Sequence, residues 1–249
     1  MSELTAVTMS GRSFRLIRRN IDALMMALML PVMLMLLFVY LFGGALNTGT
    51  AYVTYVVPGV LLLCCSFGAS LTAVAVSHDM TGGIIDRFRS MDVGGAPFLA
   101  GHVVASVARN AASTVVVFAV AFLIGFRPTA GPVGWLAAIG ILLAFVIAFS
   151  WLSAAVGLAA RSPEAADGFT FLLMFLPYPS SAFVPIDTMP TWLRGFAENQ
   201  PTTPVIESLR GLLLDQPVGN APWHALAWSA AILLISIAAS GALFRRRTS

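Results

Sequence analysis

Six apolar runs, Leu24 to Gly43, Val53 to Ser77, Val104 to Phe126, Gly134 to Ala160, Gly168 to Val184 and His224 to Phe244, alternate with polar segments holding nearly every charge. A helix needs roughly 20 mostly apolar residues, at about 1.5 Å of rise each, to cross the hydrocarbon of a bilayer. The pattern predicts an all-α, polytopic membrane protein with six transmembrane helices, and an even count puts both termini on one side. No linker suggests a second folded domain, so residues 1–249 read as one transmembrane domain.

The polar segments have patterns of their own. Before the first run, within 1–23, Arg12, Arg15 and Arg19 recur on one helical face and Phe14, Ile17 and Ile21 on another, which predicts an interfacial amphipathic helix. It reads either as a topology anchor or as a moving elbow. In "MTGGIIDRFRSM", inside the 78–96 connection, Met80, Ile84, Phe88 and Met91 form an apolar stripe while Asp86, Arg87 and Arg89 face elsewhere. That spacing predicts a short helix at the membrane surface, either passive in the headgroups or docked to something.

The 185–223 connection is too long for an idle loop. Thr203 can cap a helix with Pro204 at its first position, and Val205, Ile206, Leu209, Leu212 and Leu213 make its apolar face. Pro177, Pro179 and Pro185 should break the fifth run in its outer half. A structured cap of short helices is expected there.

Composition agrees with a bilayer: 58% of residues are hydrophobic and 10% charged, with a mean hydropathy of +0.88. All 14 Lys+Arg positions are arginine. With the termini cytoplasmic, the inner segments hold Arg12, Arg15, Arg18, Arg19, Arg87, Arg89, Arg161 and Arg245 to Arg247, against Arg127, Arg194 and Arg210 outside. The positive-inside rule selects that orientation. It makes 1–23 and 78–96 cytoplasmic and 185–223 extracellular. Tyr40, Tyr52, Tyr55, Trp135, Tyr178, Trp192 and Trp223 then fall near the outer interface. A signal peptide is not expected, because Met1 to Asn20 is polar and basic and a full span follows.

Arg109 stands inside the third run, where a central charge costs about 2.5 to 3.5 kcal/mol on insertion scales. Counting back from Phe126 puts it in the inner third, within snorkelling reach of the interface. Interface anchor and substrate or gating residue both remain open. Ala69/Ala73/Ser77 and Ser153/Gly157 supply the small-residue spacing that lets spans approach closely.

Catalytic chemistry finds little footing. Without lysine, the chain cannot form a Walker A phosphate loop. Ser70 in "FGAS" lacks the following glycine of an intramembrane serine protease motif, and His78, His102 and His224 offer it no obvious base. His78 beside Asp79 falls short of a three- or four-ligand metal site. The neighbours Cys64 and Cys65 point about 100° apart on a helix and cannot bridge without distortion. Every acidic residue maps to a loop or span end, which weakens proton or sodium coupling. No catalytic, cofactor or metal site is expected, and the energy for any transport must come from elsewhere.

Three stretches carry a family resemblance: "HDMTGGIIDRFRSMDVGGAPFLAGHVVASVAR", "LAARSPEAADGF" and "SSAFVPIDTMPTWLRGFAENQPTTPVIESLRGLL". Over nearly its whole length the chain resembles the ABC-2 type permeases, and among them the daunorubicin-resistance-like drug exporters of actinobacteria. Asp92 is a departure, standing where the family pattern has proline.

The resemblance implies six spans, a dimer with a second permease copy or a sister permease, and two copies of a separate nucleotide-binding ATPase subunit that holds ATP and Mg. It implies that the helix between the second and third spans docks into that subunit. Asp86, Arg87 and Arg89 would contact the ATPase, Ile84, Phe88 and Met91 would hold the segment in place, and Arg161 and Glu164 would form a second contact. The spans suit a lipophilic or amphipathic cargo, with Trp151, Phe171, Phe175 and Tyr178 as candidate path residues or as ordinary packing. Expected surroundings are a bacterial plasma membrane, with no nucleic-acid partner. A non-transporting scaffold or sensor that recruits cytoplasmic partners is the alternative. A passive channel is disfavoured by the scarcity of polar residues to line a pore.

Overall fold

A computed structural model describes residues 21–46, 48–82 and 95–248 of the 249. Among them every regular element is helical: α1 (Ile21–Leu37), continued by a π-helical turn (Phe38–Phe42), α2 (Tyr52–Thr81), α3 (Gly95–Leu123), α4 (Pro132–Ala159), α5 (Pro163–Phe175), a 3-10 turn (Ile186–Thr188), α6 (Thr191–Asn199), α7 (Thr202–Leu213) and α8 (Ala221–Thr248). Four of these, α2, α3, α4 and α8, are long and apolar enough to cross a bilayer. They correspond to the second, third, fourth and sixth runs. The first run is α1 with its π turn, whose described apolar part is Met29–Phe42. The N-terminal amphipathic helix expected before it lies outside the described residues.

α2 is the hub. It packs against α1, α3, α4, α5 and α7, and Val56, Val57, Val60, Leu61, Leu62 and Leu63 are fully enclosed. Close approach to α4 depends on Gly157. A Cβ built there would lie 2.4 Å from the Ala73 carbonyl oxygen of α2, so only glycine admits this crossing. α8 lies at the edge on α4 and α7 and turns inward a stripe of small residues, Ala225, Ser229, Ser236 and Ser240. Its opposite face exposes Trp228, Leu234 and Ile235, as a helix bordering lipid would.

The fifth run departs from expectation at its start, and breaks where its prolines led one to expect. Instead of a span from Gly168 to Val184, the helix starts five residues earlier and ends at Phe175. Its start has a local cause: Ser162 Oγ accepts from the Ala165 amide at 3.2 Å, and Pro163 follows as the first helical residue. After Phe175 the chain runs in turns through Val184, with Pro177 and Pro179 removing amides a helix would need. At about 1.5 Å per residue, the 13-residue α5 covers about 20 Å, short of the hydrocarbon thickness.

α7 matches the expected apolar face, since Val205, Ile206, Leu209 and Leu213 are buried against α2, α4 and α8. Its cap is not the expected one. The helix begins at Thr202 behind Pro201, and Thr203, already inside it, donates its hydroxyl to the Ala197 carbonyl at the end of α6. The tight α6–α7 turn takes the hydroxyl away from the capping role.

Candidate functional site

Three of the four aromatic path candidates come together. Phe171 and Phe175, one helical turn apart on α5, have ring centroids 4.8 Å apart, and Tyr178 follows at 5.3 Å from Phe175. The row continues through residues that the sequence pattern did not single out. Tyr178 stacks on Phe183 at 5.5 Å, Phe183 stacks on Phe38 at 4.5 Å, and Phe38 meets Phe42 at 5.5 Å. Six rings thus run from α5 through the proline-rich turn to the π turn after α1. Phe171 is 59% and Phe175 46% exposed, so the α5 end is open. The i, i+4 spacing of Phe38 and Phe42 was visible in the sequence; their meeting with Phe183 was not.

Trp151 lies apart. It packs beside a separate small core of Val76, Phe98, Leu99, Ala154 and Leu158, at the other ends of α2 and α4. Among the described residues, no ring contact connects it with the aromatic row.

The turn that carries the row is held by α7. Arg210 places its guanidinium 3.8 Å over the ring centroid of Tyr55 and donates to the Tyr55 carbonyl at 3.2 Å and the Ser181 carbonyl at 2.6 Å. Cation–π contact and charge-assisted hydrogen bonds act together there. Tyr52 adds a hydroxyl bond to the Phe183 carbonyl at 2.9 Å, and Gln200 donates to the Pro179 carbonyl. A turn without regular hydrogen bonds is therefore fastened by side chains from α2, α7 and the α6–α7 junction.

At the opposite end of α2, Ile84, Asp86, Arg87, Phe88, Arg89 and Met91 lie outside the described residues. The helices on either side are described, and there His102 Nε2 of α3 lies 3.2 Å from Asp79 Oδ2 of α2. Arg161 and Glu164 are exposed where α4 gives way to α5. Hydrogen bonding to Ser162, and then to its own backbone amide, holds the Glu164 carboxyl below its ordinary range, and the first turn of a helix suits its negative charge. Arg109 is bonded to α2: Nη2 donates to the Gly68 carbonyl at 2.8 Å and to Thr72 Oγ1 at 3.1 Å.

Between α3 and α4 lies an apolar cavity of about 290 Å³, walled by Val107, Phe118, Trp135, Ile139 and Leu142, with Thr114 and Asn110 as its polar contributors. Among the described residues, no three His, Cys, Asp or Glu side chains gather as a metal ion would require. The arrangement offers apolar and aromatic surface plus inter-helix fasteners.

Residues 6–214 match the family described as ABC-2 type transporter. The chain belongs to that family. It is a multi-pass membrane permease subunit, with the ATPase function carried elsewhere in such transporters. Among its relatives, this permease is 29% identical over 187 residues to the daunorubicin resistance ABC transporter permease protein DrrB1 of Streptomyces coeruleorubidus, covering 74% of this chain and 66%, just under two thirds, of that protein. It is 22% identical over 225 residues to the probable doxorubicin resistance ABC transporter permease protein DrrC of Mycobacterium tuberculosis, covering 90% of this chain and 82% of that one.

Proposed function

We propose that this permease is the membrane half of an ATP-binding cassette exporter that moves a lipophilic or amphipathic compound out of a bacterial cell. In this reading two permease copies, or one with a sister permease, bind two nucleotide-binding subunits that hydrolyse ATP. The chain crosses the plasma membrane six times with both termini cytoplasmic, α5 and the fastened turn after it making a broken fifth crossing. Non-helical backbone at membrane depth is tolerated where protein encloses it, and the bonds from Arg210, Tyr52 and Gln200 supply that enclosure.

The observation that carries the reading is the aromatic row from Phe171 to Phe42, open at α5 and lined by rings that can stack against a planar apolar cargo. Relatives named for daunorubicin and doxorubicin resistance point the same way. Residues 78–96, with Arg161 and Glu164 as a second contact, dock the ATPase in this scheme.

The test is reconstitution with the nucleotide-binding subunit in liposomes, using daunorubicin as probe. Phe171→Ala with Phe175→Ala should weaken daunorubicin-stimulated ATPase activity and uptake while basal hydrolysis persists. Arg87→Glu with Phe88→Ala should uncouple hydrolysis from transport. If neither ATP-driven movement nor stimulation occurs, yet the permease still recruits the subunit, the scaffold alternative replaces the exporter.

A further inference from the structure

α2 and α3 run antiparallel on either side of the proposed docking segment, and they are joined by polar contacts at three levels. Nearest the segment, Asp79 meets His102 at 3.2 Å. One level up, Arg109 bonds to Thr72 Oγ1 and the Gly68 carbonyl. Farther still, Cys65 Sγ lies 4.0 Å from Thr114 Oγ1. On α2 the contacts recur every seven residues, at 79, 72 and 65, so all lie on one face through about two helical turns per step. On α3 the partners ascend in matching order, at 102, 109 and 114.

The middle level is the strongest. A guanidinium hydrogen-bonded to neutral acceptors where little water competes makes charge-assisted contacts, and releasing them would leave a charge and a buried hydroxyl unpaired. The same level is also tightly filled by side chains. A Cβ on Gly68 would lie 2.1 Å from Asn110 Oδ1, and Asn110 in turn donates to the Ser106 carbonyl at 3.0 Å. Ser150 of α4 joins at 2.8 Å from Ser106 Oγ. Two apolar helices in lipid gain no hydrophobic drive to stay together, so their register depends on such polar and small-residue contacts.

We infer that Arg109 and the Asp79–His102 pair are positioning residues that lock α2 and α3 into one rigid lever, so that force applied at 78–96 moves both helices together. This rests on the docking role proposed above for that segment. With the rungs cut, the two helices separate at their base and the stroke is lost in the gap.

The experiment uses the full permease with its nucleotide-binding subunit in liposomes and reads daunorubicin moved per ATP hydrolysed. Arg109→Met, which keeps length and apolar bulk, should lower that ratio about fivefold, a modest coupling free energy, with ATP turnover within about twofold of wild type. Asp79→His and His102→Asp should each lower the ratio, and the two together should restore it by re-forming the pair reversed. An unchanged ratio in Arg109→Met, or no restoration in the swapped pair, overturns the lever.

A second readout needs no transport. Spin labels at the exposed positions Leu71 and Val104 should give a narrow distance distribution in the otherwise native complex and a broadened one with Arg109→Met. Equal widths overturn the inference even if transport fails for every protein tested, and broadening without transport in the native complex sinks the exporter reading alone. Should Arg109→Met fail to insert, Arg109→Lys, which loses the planar fork but keeps the charge, carries both measurements.

Discussion

α2 and α8 are nearly equal in length and hydropathy, yet 72% of the best apolar window of α2 is buried within the protein and only 17% of that of α8. The difference lies in what each offers a neighbour. α2 carries Gly59 and Gly68, which admit Ala182 and the Asn110 side chain close to its axis, and carbonyls at Gly68 and Tyr55 that arginines from α3 and α7 reach. α8 offers one narrow inward stripe of alanine and serine and leaves its bulky side chains outward. In lipid, apolar surface is equally content against a tail or a helix, so size and hydrogen bonding decide which helix becomes central.

The sharpest way to break this contrast is to enlarge a glycine on each side of it. Gly157→Leu should push α4 off α2 and cost about 3 kcal/mol or prevent folding, as overpacking of a closed contact does. Gly241→Leu on α8, with no atom in the way, should be silent. Thermal unfolding in lipid nanodiscs compares the two, and equal losses would show that α2 is no more tightly held than α8.

Arg210→Met tests how α7 fastens α2 to the turn after α5. It strands the Tyr55 and Ser181 carbonyls and removes the stacked cation, for a cost of about 2 to 3 kcal/mol. Limited proteolysis between Pro177 and Pro185 should accelerate. Arg210→Lys should recover only part of the loss, since an ammonium cannot reproduce the fork.

A smaller effect is expected in the aromatic row. Phe38→Ala and Phe183→Ala, combined in a double-mutant cycle, should show a coupling of about 1 kcal/mol for stacked rings at this separation. Additive losses would mean that the two rings are neighbours without interaction. At the bottom of the scale, Ile235→Ala on the outer face of α8 should shift stability by less than about 0.5 kcal/mol. A large loss there would reveal a protein partner for α8 in place of lipid.

Much of this was legible along the chain. The long runs become α2, α3, α4 and α8 because an apolar segment in a bilayer must satisfy its own backbone, and helix is the local way to do so. The apolar face of α7 and the proline break after α5 followed equally well from spacing and proline chemistry. The start of α5 was less visible, because Ser162 and Pro163 look like loop residues until their cap and first-turn roles are recognised. Thr203 misled for the opposite reason: it has the right chemistry for a cap, but the turn from α6 gave its hydroxyl a nearer acceptor.

The candidate site divides along the same line. Phe171 and Phe175 share a helix face by local spacing, and Tyr178, three residues on, could be grouped with them from its position alone. Trp151 could not be separated from them, and Phe38 and Phe183, 145 positions apart in number, could not be added. Arg109 was recognisable as an anomaly within a span, but its acceptors lie on another helix.

By itself, then, the sequence determined that this chain lives in a bilayer, where its main helices run, and which family it joins, since each depends on composition and order within a segment. Only the tertiary structure decided which helix sits at the centre, which rings meet and what Arg109 holds. Those are properties of pairs of segments, set by close approach and hydrogen-bond geometry across distances that no single stretch of sequence encodes.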